Sequence, residues 1–302
     1  MGNMWVVDKD FDGVRLDRFL RKKYTQVPLS AIMRAIRTGE VTVNGKKASP
    51  SYRLCEKDQI SVPFEDPKPK EPSMKPSDKF LEVLFMDENI LVVNKPPGLL
   101  SQPASGGDDS VVNRAMSLAN KTDKDFIPTP VHRLDRNVSG VMLLALNIQS
   151  LRALTGLFRD RKIIKRYLAV VKGPLEGEGI VDVSLNKDKH SFKARTKYTK
   201  GKRSITRYRA LRVSSDASLV ELELITGRFH QLRAHLSHIG HPIIGDVKYG
   251  GRKKEAPRPM LHAYVLEFTS KDRYLGYLFG KKFTAPMPID MKEIVKFFEL
   301  SP

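Results

Sequence analysis

The chain has 302 residues, enough for two domains and for a sizeable buried core. Its 53 Lys+Arg against 34 Asp+Glu leave a formal charge of +19, which attracts polyanions and makes nucleic acid the leading partner ahead of a merely solvated basic surface. The single cysteine, Cys55, excludes an internal disulfide and a multi-cysteine zinc site. The start, Met1 to Trp5, lacks the basic and apolar stretches of a signal peptide, and no apolar run approaches the ~20 residues of a membrane helix. The expectation is a cytoplasmic protein with no membrane partner.

In chain order, Val14, Leu16, Phe19 and Leu20 recur at helical spacing, with Arg15, Arg18, Arg21, Lys22 and Lys23 between them. Pro28-Leu29-Ser30 opens a second helix over Ala31 to Arg37, and Gly39 ends it. Asn44-Gly45 inside Val41 to Lys47 is a hairpin signal, and Gln59 to Val62 supplies another short strand. Arg34, Arg37, Lys46 and Lys47 are placed to line one positive face beside the first helix. Five prolines between Pro63 and Lys79 cannot continue a ladder, so residues 65–79 read as a stiff linker between a small domain at 1–64 and a larger one at 80–302.

Beyond the linker, β runs dominate: Leu81 to Phe85, Ile90 to Val93, Val141 to Leu146, Tyr167 to Val171, Leu219 to Ile225 and Tyr264 to Phe268. Helical patterns occupy Val111 to Ala119, Ile148 to Arg159 and His230 to His238. Strand pairs without regular intervening helices predict an α+β fold with a mixed, largely antiparallel sheet, not a doubly wound nucleotide fold. The basic stretch Lys187 to Lys202 reads as an insert.

Four segments carry candidate chemistry. Asn94 to Gly98 is a rigid turn after a strand, where Lys95 either meets a phosphate or only completes the turn. His132-Arg133-Leu134-Asp135-Arg136 leads into a strand; an aspartate enclosed by two arginines stays ionised, which suits a nucleophile and argues against a general acid. The alternative is an aspartate that caps a turn or pairs with Arg133 or Arg136. Tyr167, on a strand, either stacks on a base, accepts a proton, or packs. Thr226-Gly227-Arg228-Phe229-His230-Gln231-Leu232-Arg233 closes a strand and opens a helix. Arg233 beside Asp135 would make a charge pair at a pocket floor, unless it and Arg228 serve RNA phosphates instead.

These segments, in this order, resemble the RluA family of pseudouridine synthases, in the branch similar to RluC that acts on large-subunit ribosomal RNA. The box from His132 to Gly140 is the most specific signature. Gly227 to His235 and Gly240 to Asp246 resemble its third motif, and Ser204 to Tyr208 and Leu261-His262-Ala263 match family strands. Val138 stands where the family usually carries threonine. The N-terminal pattern Arg15 to Leu20 with Gly39 to Gly45 resembles the alpha-L RNA-binding fold, with Arg18, Arg34, Arg37 and Lys46 as its phosphate contacts.

The resemblance implies an isomerase that breaks the C1′–N1 bond of a flipped-out uridine and rejoins the uracil through C5, with no cofactor and no metal. It implies Asp135 as nucleophile or as base toward the ribose, Arg233 as its orienting partner, Tyr167 stacked on uracil, and Arg133 in the vacated base stack. Transfer RNA is the alternative substrate to ribosomal RNA, and nothing demands more than a monomer. Two rivals remain: a non-catalytic RNA-binding protein, and a metal-dependent hydrolase built on His230, His235, His238 and His241, which lack a carboxylate or cysteine at ligand spacing.

Overall fold

The computed structural model describes residues 3–24, 26–65, 75–104, 108–119, 126–187, 194–196, 201–252 and 254–300. Most of the proline-rich linker and of the basic insert lies outside these residues. The chain divides into two units, Met1–Lys75 and Pro76–Pro302.

In the first unit, β1 (Asn3–Val6) is followed by helices α1 (Leu16–Lys23) and α2 (Leu29–Thr38), then by β2 (Thr42–Val43), β3 (Lys46–Lys47) and β4 (Gln59–Val62). The four strands pair in the order β1-β4-β2-β3. Leu16, Phe19 and Leu20 of α1 and Ile32, Ala35 and Ile36 of α2 are buried together with Val43, Ile60 and Val62, so the apolar stripe of each helix closes on the small sheet. Gly39 ends α2 at φ 88°, and Asn44 and Gly45 take φ 53° and 73°, the left-handed pair that a two-residue hairpin turn requires. Asp58 pins the hairpin, accepting from the Cys55 amide at 2.8 Å and the Asn44 amide group at 2.8 Å. Arg18, Arg34, Arg37 and Lys46 are all exposed on this unit.

The second unit runs β5 (Glu82–Met86), β6 (Ile90–Lys95), α3 (Val111–Ala119), β7 (Thr129–Pro130), β8 (Ser139–Ala145), α4 (Ile148–Arg159) and β9 (Ile163–Lys172). It continues with β10 (Glu178–Asp182), β11 (Leu185–Lys187), β12 (Ala194–Thr196), β13 (Ile205–Val213), β14 (Ala217–Leu224) and α5 (Gln231–His238). Then come β15 (Leu261–Phe268), β16 (Lys282–Thr284) and α6 (Ile289–Phe297). A mixed sheet follows the order β10-β13-β14-β9-β15-β8-β6-β5, with β16 on β15 and β7 on β8. The pairing of β15 with β8 is parallel and its other pairings are antiparallel. This is the α+β architecture the strand patterns predict.

Strand β8 is buried along its whole length, as a central strand covered on both faces must be. Val141, Leu143 and Ala145 share a core with Leu154 and Leu157 of α4 and with Ile163, Leu266 and Phe268 of the neighbouring strands. Asn147 caps α4 by accepting from the Ser150 amide at 2.8 Å, while the Asn147 amide donates to the Ser150 hydroxyl oxygen at 3.3 Å. Gly140 holds φ 119°, and a Cβ there would lie 2.0 Å from the Ala263 carbonyl oxygen. Only glycine lets β8 and β15 approach at that point. The close crossing fixes the residues just before it, which form the floor of the site.

Candidate active site

The loop from Leu134 to Asn137, immediately ahead of β8, is clamped through its backbone. The Ser101 hydroxyl donates to the Leu134 carbonyl at 2.7 Å and accepts from the Leu134 amide at 3.1 Å. The Val138 amide donates back to the Asp135 carbonyl at 3.0 Å. Val138 itself is buried, so the position that would carry a hydroxyl in the family pattern is filled by packing. Arg258, paired with Asp290 through bonds of 2.6 and 2.8 Å, also donates to the Asn137 carbonyl at 3.2 Å.

Lys95 completes the clamp, and here the structure corrects the sequence reading. Its side chain is fully buried, and its ammonium donates to the carbonyls of Pro96, Leu99 and Arg136 at 3.0, 2.8 and 3.0 Å. Burial brings its pKa down to about 7, against the opposing pull of Asp135. A cation spent on three carbonyls inside the protein cannot meet an RNA phosphate. The second of the two readings of the Asn94 to Gly98 turn is therefore correct: Lys95 joins that turn to the loop bearing Asp135.

Above this floor opens a cleft of about 1090 Å³ lined by Asp135, Tyr167, Arg133, Arg228, His230 and Arg233, among others. Arg233, from α5, donates through Nη1 to Asp135 Oδ2 at 2.8 Å. Its remaining fork is taken by Asp246, with Nε to Oδ2 and Nη2 to Oδ1 both at 2.7 Å. The Asp246 side chain is only 1% exposed and that of Arg233 10%, while Asp135 keeps 32% exposure toward the cleft. The geometry is a relay. A fully desolvated carboxylate fixes both rotation and charge of the guanidinium, and the guanidinium fixes one oxygen of a carboxylate that solvent and substrate can reach. The guanidinium also lies over the Tyr249 ring, 5.0 Å from its centroid. Although burial opposes it, the two aspartates raise the Arg233 pKa above its ordinary value.

Tyr167, on β9, is buried, and burial and the Asp135 charge both push its hydroxyl pKa well up. The phenol stays protonated, which favours stacking or hydrogen-bond donation over the proton-acceptor role. Arg133 and Arg228 are exposed at the cleft. The structure thus brings Asp135, Tyr167 and Arg233 together with Arg133 and Arg228, and places Arg18, Arg34, Arg37 and Lys46 on the first unit.

The clustered histidines go to separate partners. His235 is buried between the Thr206 hydroxyl at 3.0 Å and the Val183 carbonyl at 3.2 Å, and His241 Nδ1 meets the Lys172 carbonyl at 3.0 Å. His230 alone of these lines the cleft. Among the described residues no group of three or more His, Cys, Asp or Glu is placed to hold a metal ion.

Sequence reasoning assigned no role to Asp246. Its signal was present, an isolated acid at the end of the apolar run His241-Pro242-Ile243-Ile244-Gly245, where a charge survives only with a buried partner. Gly245 makes that placement possible: a Cβ there would lie 2.0 Å from the Arg258 carbonyl oxygen.

Comparison with known proteins finds relatives over most of the chain. Residues 89–238 match the RNA pseudouridylate synthase family and residues 14–60 match the S4 domain. An uncharacterized RNA pseudouridine synthase of Bacillus subtilis is 33% identical over 290 residues, covering 93% of each chain. Ribosomal large subunit pseudouridine synthase D of Buchnera aphidicola is 34% identical, covering 96% of this chain and 95% of its own. Ribosomal large subunit pseudouridine synthase C of Vibrio vulnificus is 34% identical over 87% of each chain. Among solved structures, human RNA pseudouridylate synthase domain containing 4 superposes with a TM-score of 0.59 at 26% identity, covering 72% of this chain and 93% of that one. The chain belongs to the RNA pseudouridine synthases, isomerases that convert uridine to pseudouridine in RNA.

Proposed function

We propose that this enzyme isomerises uridines of large-subunit ribosomal RNA, acting on a nucleotide flipped out of its stack into the cleft, with Asp135 as the reacting carboxylate. The observation that carries the reading is the Asp246–Arg233–Asp135 relay, which presents one carboxylate to an open cleft and fixes it from behind. A binding module has no use for so costly an arrangement of buried charge.

A uracil inside a stem cannot reach Asp135, so extrusion is required, at roughly a few kcal/mol of lost stacking and pairing. Arg133 enters the vacated stack, and Tyr167 stacks on the extruded uracil. Asp135 then acts by one of two routes. As nucleophile it bonds to C1′ while the C1′–N1 electron pair leaves with uracil. As base it takes a ribose proton and drives the same cleavage through a glycal. In the first route the uracil turns and C5 displaces the Asp135 carboxylate from C1′, breaking the ester bond. In the second, C5 adds to C1′ of the glycal as Asp135 returns the proton to the ribose. In both, the C5 proton is then released. Arg228 and the basic face of the S4 domain, Arg18, Arg34, Arg37 and Lys46, supply salt-dependent phosphate affinity rather than base reading.

The protein works as a cytoplasmic monomer. No helix among the described residues is long and apolar enough to cross a membrane. Ribosomal RNA is favoured over transfer RNA by the two relatives named for the large ribosomal subunit. The test is release of tritium from C5-labelled uridine in large-subunit rRNA and in transfer RNA transcripts, each free and, for rRNA, in ribosomal particles. Release from transfer RNA alone would overturn the ribosomal assignment.

A further inference from the structure

We infer that His230 is a positioning residue for Asp135, leaving Oδ1 as the oxygen that meets the ribose; this rests on the reading of Asp135 as the reacting carboxylate. His230 stands just ahead of α5 in the left-handed region, at φ 50° and ψ 27°, a backbone state uncommon for a non-glycine residue and seldom retained without a reason. Its ring stacks on Phe229, with centroids 3.8 Å apart and planes 19° apart, which fixes the direction of both ring nitrogens.

The tautomer follows from a chain of hydrogen bonds. The Ala194 amide donates to the Tyr249 hydroxyl at 2.6 Å, so that oxygen already serves as an acceptor. Its one proton goes to its other neighbour, His230 Nδ1 at 3.0 Å, since a buried hydroxyl proton left without an acceptor is costly. Burial, reinforced by Arg233 and Lys248 and opposed by Asp135, holds the ring neutral. A neutral ring that accepts at Nδ1 carries its proton on Nε2.

Nε2 lies 3.5 Å from Asp135 Oδ2, the same oxygen that Arg233 Nη1 holds at 2.8 Å. That separation is longer than a hydrogen bond in the free enzyme and short enough to close when substrate enters. Two donors therefore converge on Oδ2. Among the described residues no hydrogen bond is made to Oδ1. The carboxylate is held at one oxygen by a cation, with a neutral N–H poised beside that same oxygen, and the second oxygen is left for the cleft.

The test is steady-state tritium release, read as kcat and KM, by the wild type, His230→Leu, His230→Gln, Tyr249→Phe and Asp135→Asn, with melting curves for each. Leucine keeps bulk without a donor; glutamine returns an N–H near the Nε2 position. We expect His230→Leu to lose about tenfold or more in kcat while KM stays within about twofold, since a misplaced reacting group costs rate rather than binding. His230→Gln recovers most of that loss, and Tyr249→Phe, which leaves the tautomer unset, loses less than leucine. Glutamine as poor as leucine, or a loss confined to KM, overturns the inference. If leucine fails to fold, glutamine at full rate with Tyr249→Phe impaired upholds it, and any other pattern overturns it. Full activity of Asp135→Asn sinks the reading of the carboxylate and this inference with it.

Discussion

Removing the charge of Asp246 tests the relay where it is least accessible to solvent. Asp246→Asn keeps the volume and one acceptor, but it sets an amide N–H against a guanidinium that has only donors. One of the two 2.7 Å bonds to Arg233 is broken and the other becomes a neutral-acceptor bond. Two unit charges ~4 Å apart at an effective dielectric constant of ~20 interact by about 4 kcal/mol. Breaking a buried pair by removing one partner typically costs about 3–5 kcal/mol. For a domain of about 150–250 residues each kcal/mol lowers the melting point by roughly 2–4 °C, so we expect a fall on the order of 6–20 °C. Arg233 would then answer to Asp135 alone, and a displacement of ~1 Å at the reacting carboxylate costs roughly a hundredfold in rate. Thermal unfolding followed by circular dichroism, with single-turnover tritium release well below the transition, reads both effects. Adding Arg233→Met to Asp246→Asn removes the stranded cation, and the pair of changes together should destabilise less than their sum. An Asp246→Asn enzyme that melts within about 2 °C of wild type and turns over within about twofold would refute the reasoning.

Lys95→Met leaves the inward carbonyls of Pro96 and Leu99 without a donor, while that of Arg136 keeps the Gly98 amide at 2.9 Å; at ~1–3 kcal/mol for each buried group left unmet, the variant should be destabilised by about 2 kcal/mol or more in urea unfolding. The same variant should leave the salt slope of RNA binding unchanged, whereas removal of a lysine that meets a phosphate would lower it by about one unit. Burial holds His132, His230 and His235 at about 3, 4 and 4, below the ordinary 6.5. Their folded values are depressed, so the unfolded chain takes up protons first, and stability should be lost as pH falls from about 6.5 toward 4 and be insensitive to these groups above that window. Urea midpoints that do not decline across the window would contradict this. Alanine at Arg34, Arg37 and Lys46 together should weaken RNA binding and reduce the salt slope by up to about 0.9 for each phosphate no longer neutralised, with the melting of the enzyme unchanged. An unaltered slope would remove these residues from the RNA interface.

Much of the fold was legible because its determinants are local. The helices of the small unit were marked by apolar spacing and by Gly39, and the hairpin by Asn44-Gly45. Strands β6, β8, β9, β14 and β15 were visible as apolar or alternating runs. Strand β13 was marked only by the resemblance, at Ser204 to Tyr208, and not by its own pattern, which basic residues obscure. Its Arg207 and Arg209 face solvent and pair across the ladder with Glu223 and Glu221, a match set by register and not by local composition. Helix α6 was missed because what holds it, the Arg258–Asp290 pair, joins residues that are neighbours only in the fold.

The site was legible to the same degree. Asp135, Tyr167 and Arg233 were picked out by motif, and the Asp135–Arg233 pairing by the charges involved. Lys95 was placed among the phosphate contacts with the turn as its alternative, because a lysine after a strand looks the same in sequence whether it points outward to phosphate or inward to carbonyls. Burial decides, and burial of Lys95 depends on a loop some 40 residues away whose Arg136 carbonyl lies 3.0 Å from the ammonium. Asp246 went unassigned for a related reason, since its partner Arg233 is met only through tertiary packing.

The most direct measurement compares wild type with Asp135→Asn for tritium release from C5-labelled large-subunit rRNA, with RNA binding measured in parallel. We predict release by the wild type and none by the variant, while the variant binds RNA as well as the wild type or better. Release by the variant at a rate near wild type would contradict this, because the carboxylate held by Arg233 would then have no part in the reaction.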